Sequence, residues 1–550
     1  MKLVIIGAVA AGTSAAAKAR RNDEKAEIRV FDMDSDISYS ACGLPYYIGT
    51  EVEGREQLVP RDADFFKRKY NVDIYTGHQV LDINPNEKYI RVLNMNNREE
   101  FNEPFDRLVI ATGAQSVIPS IEGVEKSNVF TLRNVGSADK IRDFIFKFNP
   151  KRAVIIGSGF IGLEIAENLK IRGIAVTMVD TADHVMPSLE KDVAVYVEEY
   201  LREKDIELLL NDTVAAFTGE AAADKVIMKS GKVIDADFVI VSAGTRPNVN
   251  LAVRAGIETG PTGAIKVNTR MQTNIDDIFA CGDCTESYSI ITGKPVYRPL
   301  GSTANKTGRI AGDQVTGGSI EFRGILGTSI FRVFDMTVAM TGLTENEAIS
   351  EGFDVEVCHN IKPDKPEYFK GREMVIKAVA DRVTGRILGA QIVGKSGVDK
   401  RIDVFATAIT FGATAEDLSH LDLAYAPPFS TSKDPVIYTG MILDNAINRG
   451  RKLITASDLE IKKMQGESIS IIDTRTRQQF EKSHVEDAVN IPQECLRYHL
   501  DQLDRNSEIV TYCNKGVTGN AAQNILLNSG FNKVYNLSGG HVNYKKNKKS

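Results

Sequence analysis

The 550-residue chain predicts an α/β protein of several domains, and three observations carry that prediction. Two stretches, "KLVIIGAVAAGTSAAAKARR" and "RAVIIGSGFIGLEIAENLKIRG", each read as an apolar strand, a glycine turn and a helix, with a second strand ending in an acid further on. A third strand, turn and helix, "SEIVTYCNKGVTGNAAQNILLNSGF", lies near the carboxyl end. The length agrees, because one hydrophobic core stops growing at roughly 250–300 residues and roughly three to four domains are then expected.

In the first stretch the strand from Leu3 to Ile6 runs into a turn holding Gly7, Ala8, Ala11 and Gly12, and the strand "IRVFD" ends in Asp32. This is the βαβ dinucleotide pattern: backbone N–H groups and the helix start meet a pyrophosphate, and the acid takes a ribose hydroxyl. Val9 stands at the pattern's second glycine. The second stretch has all three glycines, Gly157, Gly159 and Gly162, with Phe160, Ile161 and Glu164 opening its helix and Asp180 closing its second strand. Two dinucleotides are implied. A carboxylate at 180 repels a 2′-phosphate, so NADH is expected over NADPH.

Composition excludes several classes. A net charge of −6, from 67 basic and 73 acidic residues, leaves no basic footprint for nucleic acid. Only the tail "YKKNKKS" is locally basic, and a solvated, frayed end is expected there. Glycines break the first apolar run, which argues against a signal peptide, and no run approaches the ~18 apolar residues of a membrane span. Six irregularly spaced cysteines do not form a secreted disulfide framework, so a reducing cytoplasm is the expected location. Cys281 and Cys284 flank a Gly-Asp pair and are expected to pack around that turn; no metal site is expected.

Two cysteines invite chemistry. Cys42, in "SYSACGLPYYIG", has no second cysteine nearby. It reads either as a small hydrophobe or as a redox thiol, storing oxidising equivalents as a sulfenic acid or as a mixed disulfide or persulfide with a small thiol. Cys513 heads the loop "CNKGVTG", which opens a helix whose free N–H groups and dipole favour an anion.

The stretches "FDRLVIATGAQSVIP", "VIVSAGTRPN" and "TNIDDIFACGDC", with the two glycine turns, resemble the pyridine nucleotide-disulfide oxidoreductases over nearly all of residues 1–445. That resemblance implies two Rossmann-like domains of the two-dinucleotide-binding flavoprotein type, an FAD domain of residues 1–115 and 246–325 and an NAD(P)H domain of 116–245. An α+β dimerisation domain of 326–446 and a linker of 447–457 follow. FAD would rest on Gly7, Ala8, Ala11, Gly12 and Asp32, on Val80, Ala111, Thr112, Gly113 and Arg133, and on Gly282 and Asp283. NAD(P)H would rest on Gly157, Gly159, Phe160, Ile161, Gly162, Glu164, Asp180 and Gly244.

"SYSACGLPYYIG" is similar to the S-F-x-x-C-G-L-P-Y segment of coenzyme A-disulfide reductases, and Ala10 stands where the related NADH peroxidases and oxidases carry a histidine. "KPEYFKGREMVIKAV" and "HLDLAYAPPFSTSKDPV" resemble the reductases' two tyrosine segments. They imply that Tyr368 and Tyr425 reach across a homodimer interface to the departing coenzyme A thiolate, with Phe369 and Phe429 in place of neighbouring tyrosines. Coenzyme A needs cations near Cys42, and Lys18, Arg21 and Lys69 are candidates; the resemblance adds Ser14, Ser38, Ala41, Asn305 and Lys433.

Residues 458–550 resemble an α/β rhodanese-like domain through Asp473, Arg475, Phe480, His484, Asn490–Pro492, Cys513 and Gly539–Gly540. The loop departs from the usual form, which carries an arginine near Thr518. Together these resemblances imply an FAD-dependent NAD(P)H oxidoreductase acting on coenzyme A disulfide, coenzyme A persulfide or polysulfide through Cys42, with Cys513 handling sulfane sulfur. The competing expectations are an NADH oxidase or peroxidase using a Cys42 sulfenic acid, and a redox sensor with a vestigial flavin.

Overall fold

The computed structural model describes residues 1–548, and residues 549 and 550 of the expected last domain lie outside them. The chain forms two units, Met1–Asp183 with Asp205–Gly327, and His184–Lys204 with the chain from Thr328 onward.

The first unit holds two parallel five-stranded sheets in which four strands follow the same order and the fifth, an edge strand, comes last in the chain in one sheet and first in the other. One runs Ile278–Ala280, Arg107–Ile110, Lys2–Ile6, Glu27–Phe31, Asp73–Tyr75; the other runs Glu207–Leu209, Ala175–Val179, Arg152–Ile156, Phe238–Val241, Val129–Thr131. Parallel strands covered on both faces must be apolar throughout, which is why "LVII" and "AVII" do not alternate. Leu3, Val4 and Ile5 are fully buried, each contributing about 1.5–3 kcal/mol relative to exposure. The helices Ala10–Asn22 and Gly301–Gln314 pack backbone to backbone: a Cβ at Gly308 would lie 2.2 Å from the Ala11 carbonyl oxygen. Small residues on both helices permit that approach, and it sets Ser14 of one against Asn305 of the other.

The second unit contains an antiparallel sheet, Ser329–Val333, Met336–Gly342, Ile387–Gly394, Glu373–Asp381, Val355–Pro363, and a parallel sheet, Leu453–Ile454, Val534–Leu537, Glu508–Tyr512, Ile469–Asp473, Val489–Asn490. The segment expected as a linker already supplies the edge strand Leu453–Ile454, paired with Asn536 and Leu537. The helix Lys191–Glu203, inside the stretch expected to belong to the NAD(P)H domain, packs in this unit instead. Its Asp192 accepts from Lys377 Nζ at 2.8 and 2.9 Å and meets His359 Nε2 at 2.8 Å. These two strongly polar groups are buried on the strands and need that carboxylate.

The carboxyl tail corrects an expectation. A frayed end was expected, yet the helix Gly540–Asn547 continues almost to the terminus. Lys546 bonds Glu199, Lys548 bonds Glu486 at 2.9 Å, and Tyr196 donates to Asn543 at 3.0 Å. Acids pair with Lys546 and Lys548, while Lys545 stays exposed. Among the described residues no helix is long and apolar enough to cross a membrane.

Candidate active site

In the first sheet three strand ends converge, as ligand sites in open α/β sheets do. Lys2–Ile6 ends at Gly7, whose φ of 104° and whose Cβ position, 2.2 Å from the Ala111 carbonyl oxygen, admit only glycine. Arg107–Ile110 ends at Ala111, Thr112 and Gly113, where Thr112 Oγ1 donates to the Asn248 carbonyl and Asn248 Nδ2 donates back to that of Thr112, both at 2.8 Å. Ile278–Ala280 ends at Gly282, whose N–H donates to Thr307 Oγ1 at 3.0 Å, and Asp283, which pairs with Arg133 at 3.1 Å. Arg133 is aimed by the helix that follows it, which Asn134 caps through the Ser137 N–H; such a cap is worth about 0.5–2 kcal/mol.

Asp32 Oδ2 accepts from Ala8 N at 2.6 Å, and Oδ1 from Asp34 N at 2.9 Å. Burial nevertheless pushes its carboxyl above the usual range. The glycine-lined cradle, with Asp32 and Asp283 as its acids, fits an extended dinucleotide such as FAD. Val80 lies on the strand His78–Asn84 of a separate three-stranded sheet.

The second parallel sheet repeats the device. Gly157 has φ 100° and its Cβ position would meet the Ser242 carbonyl oxygen at 2.2 Å, whereas Gly159 faces open space. Asp180 Oδ2 accepts from both the backbone N and the hydroxyl of Ser158, at 2.7 and 2.6 Å. Phe160, Ile161, Gly162 and Glu164 occupy the first turns of Phe160–Ile171, and Gly244, with φ 98° and open space around it, follows the strand Phe238–Val241. The open face at Gly159 and Gly244 fits a second dinucleotide.

Cys42 sits in the one-turn 3₁₀ helix Ala41–Gly43, exposed and, among the described residues, unbonded. Crowding around the thiol raises its pKa, the carboxylates Glu164 and Asp283 push it the same way, and Arg133 opposes them. Glu164 also accepts from Tyr46 at 3.3 Å, which links the Cys42 segment to the second glycine-turn helix. Cys281 and Cys284 are fully buried, and Cys284 Sγ donates to the Cys281 carbonyl at 3.3 Å.

Among the residues expected to meet coenzyme A, Ser14 donates to Asn305 at 2.7 Å, while Ser38 holds a left-handed turn with φ 50° and donates its N–H to the Ala8 carbonyl. Lys18 is already paired with Asp313 at 3.0 Å, which leaves Arg21, Lys69 and Lys433 as the cations of that set without an ion pair among the described residues.

In the second unit Tyr368 lies in the connection between the strands Val355–Pro363 and Glu373–Asp381, and Tyr425 in the loop before the helix Pro435–Asn448; both are exposed. Tyr425 lines a cavity of about 460 Å³ with Asp364, Lys400, Arg401 and Phe429. The loop is fixed by the buried pair Arg401–Asp434 at 2.8 Å, to which Ser430 also donates. Lys433 is exposed on that segment.

Cys513 is buried at the end of Glu508–Tyr512, ahead of Gly516, which caps the helix Val517–Asn528 with φ 93°. His541 N donates to its carbonyl at 2.8 Å, and Val542 N to that of Asn514 at 3.0 Å, so the Gly539–Gly540 turn closes the loop. Beneath it Arg475 holds both oxygens of Asp473, Tyr512 donates to Asp473 at 2.7 Å, and Asn490 donates to the Asp473 and Arg475 carbonyls. His484 Nδ1 meets the Phe480 carbonyl at 2.9 Å, their rings stacked. Lys515 bonds Glu373, which anchors the loop to the hairpin whose connection carries Tyr368.

Sequence reasoning missed Lys362 and Tyr438, the first on the strand Val355–Pro363 and the second on the helix Pro435–Asn448; both interact electrostatically with Cys513. No local signal marks them, since only the packing of separate segments brings them to the loop. Among the described residues no cluster of His, Cys, Asp and Glu stands ready to hold a metal.

Comparison with known proteins gives a consistent picture. The pyridine nucleotide-disulphide oxidoreductase family model matches residues 1–305, its dimerisation domain 328–435, and the rhodanese-like domain 456–547. The Pyrococcus furiosus NAD(P)H sulfur oxidoreductase (CoA-dependent) is 39% identical over 444 residues, 80% of this chain and 99% of that protein. The crystal structure of reduced Bacillus anthracis CoADR-RHD aligns with a TM-score of 0.96 and 37% identity over 99% of this chain and 98% of that one. A NAD-dependent persulfide reductase from A. fulgidus aligns with a TM-score of 0.91 and 37% identity, over 99% of this chain and 100% of that one.

Proposed function

This chain belongs to the pyridine nucleotide-disulphide oxidoreductase family, and from that premise we propose that it reduces coenzyme A disulfide, coenzyme A persulfide or polysulfide with NAD(P)H through Cys42. The observation that carries the reading is Cys42 itself: exposed, unbonded, and without a second exposed cysteine among the described residues. Its oxidising partner is then a diffusible sulfur compound, and the names of the relatives point to coenzyme A and persulfide.

Bound FAD supplies the relay of reducing equivalents from NAD(P)H to sulfur. Around it, Gly7, Ala8, Ala11, Gly12, Asp32 and Gly282–Asp283 hold the cofactor, and the Gly157–Gly162 turn and Asp180 hold the nicotinamide dinucleotide. The Cys42 thiolate attacks one sulfur of coenzyme A disulfide; the Cys42–sulfur bond forms as the S–S bond breaks, and one coenzyme A thiolate leaves with the electron pair. NADH and one proton then return Cys42 and the second coenzyme A as thiols, so one disulfide yields two thiols.

Ser14, Ser38, Arg21 and Lys69 bind the nucleotide end of coenzyme A. Tyr368 and Tyr425, contributed by a second copy of the chain, hold or protonate the departing thiolate; a phenol with a pKa of roughly 10 suits a thiolate of roughly 8.5 within hydrogen-bond reach. Cys513 carries sulfane sulfur, and its anchoring to the hairpin of Tyr368 supports delivery toward coenzyme A.

The test is an anaerobic NADH titration with coenzyme A disulfide, coenzyme A persulfide and polysulfide in turn, followed by mass spectrometry of the Cys42 peptide. The expected result is a coenzyme A adduct on Cys42, with a Cys42→Ser enzyme that binds FAD but turns none of them over. Turnover retained in that variant, or rapid peroxide-driven NADH oxidation without coenzyme A, overturns the reading.

A further inference from the structure

The loop Cys513–Gly519 has one cation of its own, Lys515, and that ammonium is spent on Glu373. Arg475, whose Nη1 reaches Asn514 at 3.3 Å, is spent on Asp473. The helix start that the loop opens favours an anion there, and any further side-chain cation for the Cys513 sulfur has to come from outside the loop. The strand Val355–Pro363 carries a candidate, Lys362, on which Cys513 acts electrostatically.

Lys362 projects from that strand on the face of Asn360, which donates to the Pro435 carbonyl and to Thr439 Oγ1 on the helix Pro435–Asn448. Its Nζ lies 3.9 Å from the ring centroid of Tyr438 on the same helix. The aromatic face fixes the ammonium without neutralising it. Among the described residues no carboxylate pairs with Lys362, although it is half-buried.

Three further contacts hold the Cys513 loop to this place. Glu373, the partner of Lys515, is the residue paired with Pro363 in the sheet, next to Lys362. Ser538, just before the Gly539–Gly540 turn, accepts from the His359 backbone N–H at 2.7 Å and meets His359 Nδ1 at 3.0 Å. The Gly540 Cβ position would lie 2.4 Å from the Cys513 carbonyl oxygen, so the turn and the cysteine move together.

We propose that Lys362 completes the Cys513 site, its ammonium holding the charge of the thiolate and of the persulfide formed when an anionic polysulfide gives up a sulfur. The proposal rests on the reading of Cys513 as a sulfur carrier. In the step it serves, the thiolate attacks the terminal sulfur of the polysulfide. A new S–S bond forms as the polysulfide's terminal S–S bond breaks, and the shortened polysulfide dianion leaves with that electron pair. No outside oxidant or reductant enters.

The electrostatics agree with an anion-seeking lysine. Burial and the neighbouring ammonium of Lys515 hold Lys362 below the usual lysine range, the Cys513 thiolate pulls it back up, and Lys433 lowers it further. An unpaired, partly desolvated cation of this kind gains from an anion placed against it.

The test uses the full-length flavin-loaded protein as wild type, Lys362→Met, Lys362→Gln and Lys362→Arg. Cys513 is alkylated separately with anionic iodoacetate and neutral iodoacetamide, and the peptide is quantified by mass spectrometry. The ratio of the two rates cancels general changes in accessibility. It is expected to fall about tenfold in the Met and Gln variants, to stay within about threefold of wild type in the Arg variant, and to lose its dependence on salt where the charge is gone. Sulfur uptake by Cys513 from sodium tetrasulfide should follow the same order. An unchanged ratio and unchanged uptake in both neutral variants overturn the role of Lys362. Failure of wild-type Cys513 to take up sulfur at all instead removes the sulfur-carrier reading beneath it.

Discussion

Arg133 and Asp283, 150 positions apart in the chain, meet at 3.1 Å within electrostatic reach of Cys42. The arginine offsets one of the two carboxylates that disfavour a thiolate there. The other, Glu164, lies at the start of the second glycine-turn helix, so the chain's two nucleotide units both act on one sulfur.

Glu164→Gln removes that second charge while leaving an acceptor for Tyr46. The Cys42 pKa should fall toward that of an ordinary thiol, which raises the thiolate fraction near neutral pH. Alkylation of reduced Cys42 by iodoacetamide at pH 7.5 should quicken about two- to fivefold. A slower or unchanged rate would show that Glu164 does not govern this thiol.

Asp180 spends one oxygen on Ser158 N and Oγ and the other on Ala182 N, and thereby presents a fixed negative charge beside the open Gly159 turn. Asp180→Asn keeps the shape and discards the charge. The ratio of kcat/KM for NADPH to that for NADH should rise by about five- to tenfold, chiefly through KM for NADPH. Steady-state kinetics with both nucleotides decides it, and an unmoved ratio would assign selectivity elsewhere.

His541 packs against Tyr512 and meets Ser483 Oγ at 3.1 Å. Burial first, then the Arg475 charge, hold its pKa down at about 4. As pH falls from about 6.5 to about 4 the unfolded chain takes up a proton that the folded chain refuses, so folding stability declines in that window and is untouched above it. His541→Gln should flatten this decline. The thermal midpoints at pH 7.5 and pH 5 should then differ less than in wild type by about 4 °C, the shift that roughly 1 kcal/mol produces in a small domain. Parallel pH curves for the two proteins would exclude His541 as a source of acid sensitivity.

Much of the site could be read from residues that lie close together in the chain. The Gly7 and Gly157 turns were legible because a left-handed backbone packed against a neighbouring carbonyl leaves glycine as the only residue that fits. Cys513 was legible because a strand, a glycine-containing loop and a helix follow one another directly. Lys546 and Lys548 of the carboxyl tail look solvated until Glu199 and Glu486 are placed beside them.

By itself the sequence determined the two parallel nucleotide sheets, the isolation of Cys42 and the loop headed by Cys513, all properties of short segments with their own backbone requirements. Only the tertiary structure decided which groups act electrostatically on those sulfurs. Glu164, Arg133 and Asp283 reach Cys42, and Lys362 and Tyr438 reach Cys513, from strands, turns and helices far away in the chain. Coulomb energy depends on separation in space, and that separation exists only once the sheets have packed.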